Sequence, residues 1–386
     1  MYCGQAVRTA LAIGLANEST SMSAENRRAA RRTWWCIYSH EIDMSCSSGR
    51  RDSLGKPHNY QIPLPLVLDQ NVSVLDVPES EDKSVAVVNE MVHFAAILRR
   101  ISKELYYNSK RLTLLEKSIL AKDLDSLLGD WKSRLPEWLD FGRVSFREDE
   151  WAAKQRIVLH LRYLNARILA HRLFLAPSTD QSQLDMSDHV GSCLDAARET
   201  IQVLHDAYAH RHYFRTWWYN STYTTYAGMI VLYIVMLRAT AVCSEDLLND
   251  VIKAQNILQS MQEVTVALRS AELLREGLEI ARSSSRHDLA IPVPLDVTDQ
   301  ADGGSRTQAE GSDLMPDPDH YTSQTDFGTN EYGSDPGPLF ASLIDPGLLQ
   351  DFTTGMATLA DLDTSDFLFD NLYSDGPGVS MTSTLF

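Results

Sequence analysis

The sequence predicts an all-α chain that ends in a long acidic segment, and three observations carry that reading. Apolar residues recur at spacings of three and four through most of residues 1–282. No alternating apolar run flanks an Asn-Gly or Asp-Gly turn, the usual mark of a hairpin. Charge is also divided unevenly: the 386 residues hold 35 Lys+Arg and 52 Asp+Glu, a formal net charge of -17. Residues 283–386 contain only 2 of the basic residues, Arg286 and Arg306, and 18 of the acidic ones, a local balance of -16. The first 282 residues, with 33 basic and 34 acidic, are nearly neutral. Neither part as a whole carries the basic excess of a nucleic-acid footprint, whose phosphate contacts need clustered Lys and Arg.

Val7, Ala10, Leu11, Gly14 and Leu15 share one helical face, so the chain is expected to open in a helix. No capping residue precedes it, and the chain is expected to begin inside a structural element. Residues 17–23 are a polar break, and Ser23 is a plausible N-cap for a second helix. That helix carries Arg27, Arg28, Arg31 and Arg32, with Trp34, Trp35 and Tyr38 on its other side. The arginines are expected to line a solvated face, the alternative being a nuclear-import or phosphate-binding patch. Residues 49–83, with Pro57, Pro63, Pro65 and Pro78, read as an extended loop.

Helical patterns follow at about 84–108, 112–134, 148–175, 186–211, 214–243 and 245–282. Residues 85–88 would suit a strand only in isolation. Residues 216–237 carry no charge, which raises the question of a membrane span. Asn220, Ser221, Thr222, Thr224 and Thr225 occupy its first half, and only 227–237 is continuously apolar apart from a glycine. Eleven residues suit a helix buried in a protein core and not a bilayer.

Beyond residue 282 the texture changes. This segment holds 10 of the 19 glycines and 8 of the 14 prolines, and no lysine. It is expected to be disordered, since it cannot bury enough apolar surface to offset its ordering entropy. Apolar clusters nevertheless punctuate it at Leu339, Phe340, Leu343 and Ile344, at Leu348, Leu349 and Phe352, and at 367–373. In residues 361–373, Phe369, Leu372 and Tyr373 fall on one side of a transient helix, while Asp361, Asp363, Asp366 and Asp370 keep it soluble. Such acidic-hydrophobic alternation is the composition of segments that activate transcription by folding into a coactivator groove. Phe367, Phe369, Leu372 and Tyr373 are the expected docking residues; a merely solubilising linker is the alternative.

Readings as an enzyme find little support. The G-x-S-x-G elbow, the H-E-x-x-H helix, the Walker loop, the G-x-G-x-x-G turn and the D-D-x-x-D site are all missing from the sequence. Cysteines 3, 36, 46, 193 and 243 form no C-x-x-C knuckle. His40, Glu41 and Asp43 lie close in sequence, but positions 40 and 41 diverge by about 100° around a helix, which disfavours a shared metal. His205, His210 and His212 suit a solvated helix end better than a metal site. No catalytic residue, metal site or cofactor is therefore expected. The opening residues make a poor secretory signal, and an intracellular compartment is expected.

At the second helix a resemblance appears. The stretches AVRTALAIGLANE (6–18), ENRRAARRTWWCIYSHEIDMSCSSGRRDSL (25–54) and NYQIPLPL (59–66) resemble the regulatory domain, or middle homology region, of fungal zinc-binuclear-cluster transcription factors, of the xylanolytic-activator type. The matching positions are Ile13, Gly14, Leu15, Glu25, Arg31, Arg32, Trp34, Trp35, Tyr38, Asp43, Ser45, Gly49, Arg50 and Pro63. Met44 and Arg51 depart from the pattern, which often has arginine and proline there. Residues 130–139 and 159–177 resemble later parts of the same domain, so the likeness covers about 1–280.

The resemblance implies an all-α, N-terminally truncated regulatory domain over 1–282, with the Trp pair and Asp43 as structural residues, and a disordered activation segment over 283–386. It implies a nuclear regulator of transcription by RNA polymerase II whose partners are coactivators and, in some relatives, a small inducer. DNA binding and zinc belong in that family to an N-terminal module of six cysteines, and this chain contains no such run. A truncated regulator and a DNA-free protein that titrates the partners of full-length relatives both fit that departure. No membrane association is expected.

Overall fold

The computed structural model describes residues 2–67, 79–108, 111–143, 149–175, 185–210, 219–237, 244–262 and 264–288. Among them are nine α-helices and a single pair of two-residue strands. Helix α1 (Tyr2–Ala12) buries Val7 and Ala10 and stops at Gly14, whose φ of 75° lies in the left-handed region. There Leu15 N donates to Ala10 O at 2.9 Å, the six-to-one bond of a glycine-terminated helix. Helix α2 (Ala24–Ser47) starts at Ser23, whose hydroxyl accepts from Asn26 N at 3.3 Å. It ends as α1 does: Gly49 has φ 62°, and Arg50 N donates to Ser45 O at 3.0 Å.

The segment after α2 is a loop with one short 3-10 turn at Pro57–Asn59. Two strands, β1 (Leu66–Val67) and β2 (Ser80–Glu81), pair in parallel beside it. Residues 85–88 are helical, as part of a 3-10 turn that leads into α3 (Ala86–Arg100). From Ile101 to Tyr107 the same helix continues in the wider π form, burying Ile101 and Leu105. Helix α4 (Leu114–Ser133) begins with a reciprocal capping box between Thr113 and Glu116.

Helix α5 (Glu150–His171) runs into a 3-10 turn at Arg172–Phe174 and packs against α3, α4 and α6 (Ser187–His210). Helix α7 (Tyr219–Leu237) is buried nearly all round, with Asn220, Ser221 and Thr224 as inaccessible as its valines and isoleucines. Its hydroxyls are satisfied locally, Thr224 donating to Asn220 O and Thr225 to Ser221 O. No described helix is long and apolar enough to cross a membrane.

The pattern at 245–282 resolves into two helices, α8 (Ser244–Ser260) and α9 (Thr265–Asp288), which corrects the expectation of one. Met261 N bonds Leu258 O, Val264 N bonds Met261 O, and the buried Met261 anchors the turn. Breaking there lets both α8 and α9 pack on α7. Close approach between α7 and α9 rests on two glycines. A methyl group added to Gly228 would lie 2.9 Å from Leu274 Cδ1, and one added to Gly277 would lie 2.7 Å from Leu232 Cδ1. Each glycine thus receives a leucine from the facing helix.

One continuous apolar core joins these layers, from Trp34 and Tyr38 through Leu124, Trp131, Leu159 and Leu164 to Ile234 and Leu274. Helix α9 passes the composition change at residue 282 by six positions. Residues 289–386, including Phe367, Phe369, Leu372 and Tyr373, lie outside the described residues, as does His212.

Candidate functional site

The residues singled out between Gly14 and Arg50 converge on α2 and the loop that follows it. Trp34, Trp35 and Tyr38 sit within little more than one turn of α2 and are almost wholly buried. Trp34 meets the ring of Tyr60 edge-on at 4.7 Å, Trp35 meets Tyr38 at 5.2 Å, and Tyr38 meets Tyr60 at 5.9 Å. The polar tips of these rings tie the loop down. Trp35 Nε1 donates to Pro63 O at 2.9 Å, Tyr38 OH to Gly55 O at 3.1 Å, and Tyr60 OH accepts from Gly55 N at 2.7 Å.

Two residues that the sequence pattern did not single out complete this anchor. Arg99 of α3 pairs both arms with Asp52, Nε to Oδ2 at 3.0 Å and Nη2 to Oδ1 at 2.6 Å. Its Nη1 also reaches Tyr38 OH at 2.8 Å and Gly55 O at 2.9 Å. The loop is therefore pinned from α2 and α3 at once.

Glu41, dismissed above as a metal ligand, is 1% exposed and is the hub of a second tie. Arg50 donates to both its oxygens, at 2.8 and 2.9 Å, and Ser53, Ser45 and Cys3 add further donors. Burial by itself would raise the Glu41 pKa. The hydrogen bonds from Arg50, Cys3 and Ser53 outweigh it and hold the carboxyl at about 2. Gly49 is what makes this geometry available, since its left-handed turn swings Arg50 back over α2. Asp43, one half-turn on, faces Arg162 of α5 at 3.4 Å, both groups being buried.

The arginine row does not line a solvated face. Arg31 is 6% exposed and bonds Glu18 at 2.7 Å and Glu79 at 2.9 Å. Arg32 bonds Glu81 at 2.7 Å, Arg27 bonds Glu79 through Nε at 3.0 Å, and Arg28 bonds Ser80 O at 3.1 Å. Three consecutive residues around β2 are thus clasped by four arginines of α2. The physical reason is distant in sequence: carboxylates some fifty positions away return to this face, which no helical periodicity can report.

Among the described residues no group of three or more His, Cys, Asp and Glu could hold a metal ion. His205 and His210 lie at the exposed end of α6. The cysteine thiols are held neutral by burial, Cys3, Cys46 and Cys193 being pushed up to about 12 and Cys36 to about 11. What this arrangement does chemically is hold shape: it locks α1, α2, α3 and the intervening loop into one unit through directional bonds.

Comparison with known proteins gives these residues a context. Residues 1–138 match the fungal specific transcription factor domain, which includes both ties and the arginine clasp. An acetamidase regulatory protein of Aspergillus fumigatus is 25% identical over 236 residues, 59% of this chain and 28% of that protein. Its namesake in Aspergillus oryzae is 23% identical over 305 residues, 74% of this chain and 37% of the relative. The activator of stress genes protein 1 of Candida albicans is 26% identical over 266 residues, 60% of this chain and 27% of that protein. This chain therefore spans about a third of the length of such relatives. No solved structure matches.

Proposed function

We propose that this chain is the regulatory part of a fungal regulator of transcription, in which a helical body over 1–282 controls an acidic segment over 283–386 that recruits coactivators in the nucleus. The observation that carries the proposal is the match of residues 1–138 to the fungal specific transcription factor domain. The motif residues Gly14, Leu15, Arg31, Arg32, Trp34, Trp35, Tyr38, Asp43, Gly49 and Arg50 all fall within it. In this reading they shape the body and touch no ligand: two glycines end helices, three aromatic rings hold the loop, and the charged residues tie α2 to the loop and to α5. No catalytic step is assigned to any of them, and DNA or zinc is assigned to no residue of this chain.

Recruitment rests on the residues after 335, where aromatic and leucine side chains alternate with aspartates. A fusion of residues 335–386 to a heterologous DNA-binding domain is expected to switch on a reporter. Alanine at Phe367, Phe369, Leu372 and Tyr373 together is expected to abolish most of that signal. A silent fusion, or an undiminished quadruple variant, removes the recruitment proposal. Fluorescence of the tagged chain is expected in the nucleus, and uniform cytoplasmic signal would remove that part.

A further inference from the structure

Twice the sequence follows a pair of arginines with one further residue and a serine: Arg50, Arg51, Asp52 and Ser53, then Arg99, Arg100, Ile101 and Ser102. That is the charge pattern read by arginine-directed protein kinases, whose carboxylates take both guanidinium groups while the acceptor segment lies extended across the active site. The fold treats the two serines oppositely. Ser102 stands half-buried inside the π-turn Ile101–Tyr107, whose main-chain bonds hold the backbone helical. The arginines before it are engaged, Arg99 with Asp52 and Arg100 with Glu104, and the charged Lys103 follows it.

Ser53 is exposed, as is Arg51, and neither lies in a helix or strand. The N–H groups of Ser53 and Leu54 go to the carboxylates of Glu41 and Asp52, at 3.4 and 3.2 Å, and not to main-chain carbonyls. Drawing this stretch out straight therefore breaks no ladder of main-chain bonds. Its guanidinium groups stand on the solvent side. Arg51 lies over the ring of Tyr107, 5.3 Å from its centre, and Arg50 keeps 41% of its side chain exposed while it holds Glu41. The residue after this serine is the apolar Leu54.

We propose that Ser53 is a phosphorylation site for an arginine-directed serine kinase, and that its phosphate opens the tie between the loop and Glu41. In the transfer, Ser53 Oγ bonds the γ-phosphorus of a nucleoside triphosphate as the bond to the β-phosphate oxygen breaks. The hydroxyl proton passes to the kinase's catalytic carboxylate, and the nucleoside diphosphate leaves. In the unmodified chain Ser53 Oγ donates to Glu41 Oε1 at 3.0 Å. Once esterified it has no proton to give, and it sets about two negative charges against a buried carboxylate. Arg50, which bonds both oxygens of Glu41, is drawn to the phosphate, whose acceptor oxygens stand in solvent. The bonds of Arg99 to Asp52 remain, so the loop loosens at the Glu41 side alone.

The test incubates the full folded chain with ATP and the catalytic subunit of cyclic-AMP-dependent kinase, and maps the phosphate by mass spectrometry. Phosphate is expected on Ser53 and not on Ser102. Arg51→Ala, which leaves the bonds to Glu41 in place, is expected to slow the transfer about tenfold. No phosphate on Ser53, or an unchanged rate in Arg51→Ala, overturns the site; phosphate on Ser102 of the folded chain overturns the distinction between the two serines. The fully phosphorylated chain is expected to unfold about 2–4 °C below the unmodified one, with faster amide exchange at residues 50–55 and none in α7. Ser53→Ala loses the hydroxyl without gaining charge, and its midpoint is expected to fall by less than half as much. An unchanged or raised midpoint on phosphorylation, or an equal fall in Ser53→Ala, overturns the opening of the tie by charge.

Discussion

The layer built from α1, α2, α3 and the intervening loop is held quite differently from the layer built from α6 to α9. In the first, discrete bonds are added to a buried aromatic cluster: Glu41 with Arg50, Asp52 with Arg99, and the four arginines around Glu79, Ser80 and Glu81 surround Trp34, Trp35, Tyr38 and Tyr60. In the second, α7 is enclosed by α6, α8 and α9, and leucines seat on Gly228 and Gly277. Directional bonds can hold an irregular loop, whose backbone offers no regular face to pack. Helices offer such faces, and close packing suffices between them. The two layers should therefore fail for different reasons, and four measurements would separate them.

The largest effect is expected at the centre of the first layer. Trp34→Ala removes a fully buried ring from the anchor formed with Tyr60, and urea denaturation should show a loss of about 3–5 kcal/mol. A loss below about 1 kcal/mol would mean that the ring does not hold this layer.

Acid should act on the two layers in sequence. His189 of α6 bonds His171 Nδ1 to Nδ1 at 2.8 Å and Ser118 at 2.7 Å, and burial, then His171 and Lys122, lower its pKa from 6.5 to about 4. The folded state thus binds this proton less readily than the unfolded state. Its contribution is intact above about pH 6.5 and is lost as pH falls toward 4, by roughly 3 kcal/mol in all. Glu41, held at about 2 against an ordinary 4.5, keeps its contribution above pH 4.5 and loses it only as pH falls further. Stability measured by urea from pH 7 to 3 should fall first around the α4, α5 and α6 seam. In His189→Phe the first fall should disappear and the second remain.

Smaller still is the effect of crowding the second layer. Gly277→Ala places a methyl 2.7 Å from Leu232 Cδ1, and the cost is expected at about 1–3 kcal/mol. Calorimetry should show that loss relieved in part by Leu232→Val, which retreats from the added methyl. The smallest change, about 1–2 kcal/mol, is expected for Gly14→Ala, where a side chain is forced into the left-handed region at the end of α1. Its midpoint should shift without change in the slope against denaturant.

Much of the helical framework was legible from periodicity, because the face a helix buries is written into residues three and four apart. The Ser23 cap and the enclosed character of α7 were legible for the same local reason. The turn between α8 and α9 was not, since neither glycine nor proline marks it and the apolar pattern continues through Met261. Within the candidate site, the aromatic trio stood out on one side of α2, whereas Gly49 was marked only by the family resemblance and Gly14 was read as part of the first helix and not as its end. Glu41 was considered only as a metal ligand, because its partner Arg50 comes within reach only through the turn at Gly49. Arg99 carried no signal at all, lying 47 positions from Asp52.

By itself the sequence determined where most helices form, how α2 is capped, and that the acidic charge lies almost wholly after residue 282. Those properties depend on neighbours along the chain. Tertiary structure alone decided which charges meet. It folds Glu79 and Glu81 back onto the arginines of α2 and brings Asp52 to Arg99. A charge's energy depends on what stands within a few ångströms of it, and across a folded core that neighbour is set by packing and not by sequence separation.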